Sequence, residues 1–160
     1  MILFHIGPSG VGKTEAANAL RDALGGDHLP FKQVNCSQLT DKLSASALFG
    51  ATSGTVDSDS PGSLIEFAEN VQALEHSHPA LEVSGILLLD EIEKGHSSLL
   101  TQLMELLDRG LLTEQNGDKR EFALHNLLIV MNSNLGADLM ISPTARFHLD
   151  RSKVDALIHK

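Results

Sequence analysis

The sequence predicts an α/β fold, a doubly wound parallel sheet with helices on both faces. Strand-like and helix-like segments alternate along the 160-residue chain, as they do in proteins built from parallel βα units. Two continuous apolar runs, Ile86–Leu89 and Leu127–Met131, are typical of strands buried on both faces. A glycine-rich loop at residues 7–12 separates the first apolar run from a helical segment, which is the position of a phosphate loop in such folds.

The individual elements follow from hydrophobic spacing and from residues that break helices. Apolar runs predict strands, and apolar residues three and four positions apart predict helices. The predicted strands are Met1–Ile6, Phe31–Cys36, Gly85–Glu91 and Leu127–Met131. The predicted helices are Thr14–Leu24, Leu39–Phe49, Ser63–His76 and Ser97–Asp108.

Three segments depart from that alternation. Gly50–Gly62 is rich in Gly, Ser, Thr and Asp, which predicts a loop. Leu111–Leu124 is predicted to form a hairpin, because Asn116-Gly117 is a strong turn signal. Leu135–Lys160 is weakly helical in pattern.

Charge and composition exclude several function classes. Lys and Arg total 12 against 21 Asp and Glu, a net charge of −9, so neither a nucleic acid nor a membrane surface is an expected partner. The single cysteine, Cys36, excludes an internal disulfide and an all-cysteine zinc site. No apolar run reaches about 18 residues, and Met1–Ile6 does not resemble a signal peptide. We expect a protein of the cytoplasm or an organelle interior, not a secreted one.

The first chemical motif matches the phosphate-loop, or Walker A, pattern at every fixed position, which makes a chance glycine-rich turn improbable. It consists of Gly7, Pro8, Ser9, Gly10, Val11, Gly12, Lys13 and Thr14. The glycines allow successive backbone N–H groups to face phosphate oxygens. Lys13 is expected to reach the β- and γ-phosphates of a nucleotide, and Thr14 to place its hydroxyl on Mg²⁺.

The second motif is an apolar strand that ends in two carboxylates, Asp90 and Glu91. This is the Walker B arrangement, in which Asp90 is expected to help hold Mg²⁺ and Glu91 to deprotonate an attacking water. Alone, the pair would be read as a solvated strand end. Together with the phosphate loop it favours an ATPase, because water is then the acceptor of the phosphoryl group.

The third candidate is Asn132-Ser133-Asn134, which follows the last predicted strand. An amide at that strand end could contact the γ-phosphate and the attacking water. The alternative is an ordinary helix N-cap, a position that Ser and Asn favour. Spacing alone leaves both interpretations open.

These motifs occur in an order that resembles Clp-type AAA+ ATPases, most closely the second ATPase domain of the ClpA/ClpB disaggregases. The resemblance covers roughly Leu3 to Asp138. The stretches that carry it are FHIGPSGVGKTEAANAL, ALFGATSGTVDSDSPGSL, ILLLDEIEKGHSSLLTQLMELLDRGLLTEQNGDKREF and LLIVMNSNLGAD.

The resemblance implies a core that binds ATP and Mg²⁺ and works in a hexameric ring, where hydrolysis drives the remodelling or unfolding of protein substrates. By position, it implies that the whole phosphate loop and Asp90 bind nucleotide. Thr14 and Asp90 would be the Mg²⁺ ligands, and Glu91 and Asn134 would be catalytic, with Asn134 as sensor 1. The implied organisation is one AAA+ large-subdomain core, residues 1–160, truncated at both ends and without a lid, so the isolated chain is expected to be weakly active.

The candidate substrate loop departs from the family pattern. The family has glycine, an aromatic residue, valine and glycine, whereas this chain has Gly54-Thr55-Val56-Asp57. Thr55 and Val56 remain the candidate substrate-loop residues, although Thr offers much less apolar contact than an aromatic ring.

Two other functions stay open from the sequence. The first is a nucleotide-responsive scaffold or adaptor with little hydrolysis, which the missing aromatic residue and lid favour. The second is a small-molecule kinase, which Asp90-Glu91 disfavours. Two interpretations of Glu93-Lys94 also remain, a contact with a neighbouring subunit and a solvated turn.

Overall fold

Strands and helices alternate in a computed structural model that describes residues 1–50, 61–116 and 119–137. The strands are β1 (Ile2–Ile6), β2 (Phe31–Asn35), β3 (Gly85–Asp90), β4 (Leu111–Thr113), β5 (Glu121–Ala123) and β6 (Leu127–Ser133). The α-helices are α1 (Lys13–Leu24), α2 (Lys42–Ala47), α3 (Ser63–Ser77) and α4 (Ser97–Arg109). Short 3₁₀ turns occupy Gly26–His28, Cys36–Gln38 and Ile92–Lys94.

The main sheet, within the described residues, has four parallel strands in the order β1-β6-β3-β2. The two apolar runs form its central strands, β3 and β6, and Ile86 to Leu89 are fully buried. This is the α/β architecture that the alternation predicts.

Two hydrophobic clusters cover the two faces of this sheet. On one face, Leu88 of β3 and Val130 of β6 pack in a cluster that includes Ala17 of α1. On the other face, Leu87 and Ile129 join a larger cluster with residues of α2, α3, α4 and the β4–β5 hairpin. The division follows from the strand geometry, because successive side chains point to opposite faces. Helices therefore lie on both faces, as in a doubly wound fold.

The register of the parallel strands places polar residues together at the edge of the sheet that is formed by the carboxyl ends of the strands. Ile6 at the end of β1 pairs with Ser133 of β6, and Leu89 of β3 pairs with Met131. The glycine loop after β1, the acidic pair at the end of β3 and Asn134 after β6 consequently lie at the same edge.

Two of the helices and main-sheet strands differ by more than one residue in length from the sequence prediction. The predicted helix Leu39–Phe49 is shortened to α2, because the Asp41 carboxylate accepts the Ser44 N–H at 2.9 Å and caps the helix start. Strand β6 runs two residues beyond Met131, because its last residues continue the parallel pairing with β1.

The predicted hairpin is present as the antiparallel pair β4 and β5, in which Leu112 pairs with Phe122. Gly117 of its predicted turn lies outside the described residues, as do residues 51–60 of the predicted loop and 138–160 of the weakly helical segment. None of the described helices is long and apolar enough to cross a membrane.

Candidate active site

The glycine loop joins β1 to α1 and borders open space. Gly10 and Gly12 have φ angles of 81° and 90°, in the left-handed region that favours glycine. A Cβ atom at either position would meet no atom within 4 Å. Helix α1 begins at Lys13, so the positive end of its dipole lies at the loop and favours an anion there.

The Lys13 ammonium bonds to neutral acceptors. Its Nζ donates to the Gly7 carbonyl at 2.7 Å, to the Pro8 carbonyl at 2.9 Å and to Asn134 Oδ1 at 2.9 Å. None of the salt bridges in the described part of the chain involves this lysine. Its positive charge is therefore available to an anionic ligand at the loop.

Thr14 and Asp90 place two oxygen atoms beside each other. The Thr14 hydroxyl donates to Asp90 Oδ2 at 3.1 Å, and Asn132 Nδ2 donates to Asp90 Oδ1 at 3.4 Å. The side-chain oxygen Oδ1 of Asn132 lies 3.2 Å from Nδ1 of His5. Hydroxyl and carboxylate oxygens are the ligands that Mg²⁺ prefers, so these residues fit a magnesium ion beside the phosphate loop.

Glu91 has a constrained backbone and an ionised carboxylate. Its φ of 52° and ψ of 47° are left-handed, which is uncommon for a residue other than glycine. Lys94 Nζ and Asn134 Nδ2 donate to its Oε1 at 2.9 and 3.1 Å. The hydrogen bond from Lys94 lowers the pKa of Glu91, and the side chains of Ser37 and Asn134 lower it further against the opposing effect of desolvation. The carboxylate is therefore charged at neutral pH and can accept a proton.

Asn134 connects the two halves of the site. Its Oδ1 accepts from Lys13 and its Nδ2 donates to Glu91. Its backbone N–H donates to Glu93 Oε1 at 3.2 Å. One amide thus links the lysine of the glycine loop to the carboxylate that follows β3.

Comparison with known families places this site in a wider group of proteins. The AAA domain family (Cdc48 subfamily) matches residues 1–159. The chain belongs to this family. The prediction of an AAA+ ATPase fold is therefore confirmed.

The AAA domain is also similar to named chaperones and Clp subunits. The chaperone protein ClpB of Propionibacterium freudenreichii is 36% identical over 153 residues, which are 96% of this chain and 16% of ClpB. The ATP-dependent Clp protease ATP-binding subunit ClpC of Staphylococcus aureus is 38% identical over 132 residues, 82% of this chain and 14% of ClpC. These matches confirm the resemblance to the Clp group, and the chain spans about one sixth of the length of these relatives.

A solved structure supports the same relation. The closed state of Hsp104, determined by cryo-electron microscopy with ATPγS and FITC casein, matches with a TM-score of 0.66 and 34% sequence identity. The match covers 88% of this chain and 22% of the Hsp104 chain.

The AAA domain brings the predicted polar side chains of the site together at one sheet edge, and their chemical roles remain predictions. The residues in this network are Lys13, Thr14, Asp90, Glu91 and Asn134. The remaining loop residues form the turn between β1 and α1, with Ser9 and Val11 exposed. Thr55 and Val56 lie outside the described residues.

The three residues of the Asn132-Ser133-Asn134 segment have different environments. Asn132 and Ser133 belong to β6 and are buried. The Asn134 side chain bonds to Lys13 and Glu91, so it faces the site. The Leu135 N–H is bound by the Ser133 hydroxyl, as in a local serine turn.

Sequence reasoning missed two members of the network, Glu93 and Lys94. The sequence left a contact with a neighbouring subunit and a solvated turn open for this pair, and neither interpretation included the bonds that each residue makes to a site residue within the chain. The signal was present in the stretch DEIEK, where a lysine follows Glu91 by three positions across a tight turn.

Cys36 lies beside the site without chemistry of its own. It is fully buried, and burial together with the charges of Asp90 and Glu93 raises the pKa of its thiol to about 12. The thiol is therefore protonated and unreactive at neutral pH. Within the described residues, no group of three His, Cys, Asp or Glu side chains is placed to hold a metal ion.

Proposed function

We propose that this AAA domain binds ATP with Mg²⁺ and hydrolyses it to ADP and phosphate, within a ring assembly that remodels or unfolds protein substrates. The observation that carries the proposal is the single hydrogen-bonded chain from Lys13 through Asn134 to Glu91, beside the Thr14–Asp90 pair. It provides a cation for phosphate, oxygen ligands for a metal ion and a base for water in one place.

Nucleotide binding follows from the groups around the glycine loop. Lys13 can exchange its neutral acceptors for phosphate oxygens, which form stronger, charge-assisted hydrogen bonds. The loop glycines leave room for the phosphates, and the α1 N-terminus adds its dipole. Thr14 and Asp90 would hold Mg²⁺, which when bound neutralises charge on the phosphate oxygens.

Hydrolysis follows from the groups around Glu91. Its carboxylate is ionised and can take the proton of a water molecule as that water attacks the terminal phosphate. Asn134 bonds to both Lys13 and Glu91, so its amide lies between the phosphate end and the water end of the site. We assign Asn134 the task of orienting the water and the phosphate relative to each other.

The mechanical part of the proposal rests on the relatives. ClpB is named as a chaperone, and the Hsp104 structure was determined with ATPγS and casein. By analogy we propose that residues 1–160 form one AAA+ core domain in a hexameric ring, and that Thr55 and Val56 contact the protein substrate.

Replacement of Glu91 by Gln tests the hydrolytic step. Single-turnover measurements, with protein in excess over ATP, detect even slow conversion to ADP. Glu91→Gln is expected to keep Mg-ATP affinity and to slow hydrolysis by at least about 100-fold, the scale of a lost general base. Glu82→Gln is the matched control, because Glu82 is exposed and precedes β3, at the end of that strand opposite to Asp90 and Glu91.

The outcomes separate the functions that the sequence left open. Hydrolysis at the wild-type rate in Glu91→Gln would show that Glu91 is not the base. Mg-ATP binding without any ADP above a protein-free control would instead favour a nucleotide-responsive scaffold.

A further inference from the structure

The 3₁₀ turn Ile92–Lys94 contacts both residues that are proposed to act on water. Lys94 Nζ binds Glu91 Oε1 at 2.9 Å, and Glu93 Oε1 accepts the backbone N–H of Asn134 at 3.2 Å. The turn therefore holds the side chain of Glu91 and the main chain of Asn134, the two catalytic candidates.

Lys94 and Asn134 converge on a single oxygen of Glu91, and the Ser37 side chain, which also lowers the pKa of Glu91, lies near the same carboxylate. Lys94 and Asn134 both bind Oε1, and Oε2 takes neither bond. A carboxylate fixed through one oxygen has its other oxygen held in a defined direction. A general base must lie within hydrogen-bond reach of the proton that it removes, so this direction affects the rate.

Stability does not account for the Lys94–Glu91 pair. The Lys94 side chain is 51% exposed, and exposed ion pairs of this kind contribute little to folding. Glu91 also keeps a left-handed backbone, a strained conformation that is found most often at functional sites. Both observations indicate that the geometry around Glu91 serves the site.

We propose that Lys94 is a positioning residue for ATP hydrolysis, which fixes Glu91 Oε1 and thereby aims Oε2 at the attacking water. Glu93 supports the same arrangement by holding the backbone of Asn134. The inference rests on the proposed function, in which Glu91 is the base.

Three lysine variants of the 160-residue chain test it. Lys94→Met removes the charge and the donor at similar length, Lys94→Arg keeps both, and Lys42→Met is the control at an exposed position at the start of α2.

Under single-turnover conditions at saturating Mg-ATP, Lys94→Met is expected to hydrolyse about tenfold more slowly, a part of the full general-base effect. Its ATP affinity should stay within about twofold, because Lys94 acts on the chemical step and not on binding. Lys94→Arg should recover most of the rate, and Lys42→Met should match the wild type.

A spectroscopic measurement checks the geometry independently of turnover. The side-chain NH₂ signal of Asn134 reports its hydrogen bond to Glu91, and Asn134→Ser assigns that signal by removing it from the ¹H–¹⁵N spectrum. Lys94→Met should shift the signal, because Glu91 Oε1 loses one of its donors. Lys94→Arg and Lys42→Met should leave it in place.

The possible failures are distinguishable. An unshifted Asn134 signal together with a wild-type rate in Lys94→Met would overturn the inference, and so would lost ATP affinity or a slow rate that Lys94→Arg does not restore. If Glu91→Gln hydrolyses ATP normally, Glu91 is not the base, and the assignment on which the inference rests fails whatever the lysine variants show.

Discussion

Two polar networks in the described residues differ in how completely their carboxylates are bonded. In the hairpin, Glu114 is fully buried and both its oxygens are bonded, Oε1 by Asn116 at 2.6 Å and Oε2 by Arg120 Nε at 2.6 Å. At the sheet edge, Lys94 and Asn134 donate to the same oxygen of Glu91, and Glu93 Oε2 is buried without a partner in the described residues. Both oxygens of the buried Glu114 carboxylate are thus bonded, although Oδ1 of Asn116 is buried without a partner in the described residues. The sheet-edge carboxylates, in contrast, keep acceptor oxygens available for a ligand or water.

The hairpin network joins distant parts of the chain. Arg120 also donates to Glu69 of α3 at 2.6 Å and lies over the Phe122 ring at 5.5 Å. The Glu114 and Glu69 carboxylates raise the pKa of Arg120, so the guanidinium remains charged. A buried charge is tolerated only when its hydrogen bonds are satisfied, which explains why both oxygens of Glu114 are bonded. The comparison predicts that changes in the hairpin affect stability and that changes at the sheet edge affect ligand binding.

The largest expected effect on stability comes from Arg120→Met. The variant leaves the Glu114 carboxylate buried with Asn116 as its remaining side-chain donor. Loss of Arg120 removes the charged partner of a buried carboxylate, so it should lower the free energy of unfolding more than the other variants do. The cost stays below that of a fully buried pair, because the Arg120 side chain is 45% exposed and water can reach the vacated site. Urea denaturation measures the loss, and the affinity for Mg-ATP should be unchanged in the folded protein.

The double variant Glu114→Met with Arg120→Met is the control for this prediction. Replacement of both partners by apolar residues removes the unpaired charge, so most of the lost stability should return. Equal losses in the single and double variants would trace the effect to packing around the hairpin instead of to the charge.

A smaller effect, on binding instead of folding, is expected from Lys13→Ala. The lysine bonds only to neutral acceptors in the described residues, so its loss should change the unfolding midpoint little. Loss of a charged donor from a phosphate site is expected to weaken Mg-ATP binding at least about 100-fold, since hydrogen bonds to charged groups contribute about 1.5–3 kcal/mol each. Titration with a fluorescent ATP analogue measures this, and equal affinity in Lys13→Ala and wild type would refute the assigned site.

The sequence predicted the parts of the molecule that depend on local pattern. The apolar runs identified the central strands β3 and β6, and the fixed spacing of the phosphate loop identified Lys13 and Thr14. The shared edge of parallel strands then explained why Asp90 lies beside Thr14.

Contacts between residues far apart in the chain were not predictable in the same way. Glu114 has the sequence context of an exposed hairpin residue, and only its Arg120 partner, which also bonds to Glu69 of α3, explains its burial. Lys94 and Glu93 follow no helical or strand period, because their positions depend on a 3₁₀ turn after a left-handed residue.

The smallest expected effect on stability comes from Glu69→Gln. This variant tests whether the exposed Arg120–Glu69 contact contributes less than the buried Glu114 carboxylate. The Arg120 and Glu69 side chains are 45% and 43% exposed, so water and salt screen this arm of the network. Gln keeps a hydrogen-bond acceptor, and Arg120 keeps its bonds to the buried Glu114. The Tm should fall by less than about 3 °C, and the difference from wild type should shrink further near 1 M salt. A loss as large as that of Arg120→Met would mean that the contact with α3, and not the saturated bonding of Glu114, holds the hairpin in place.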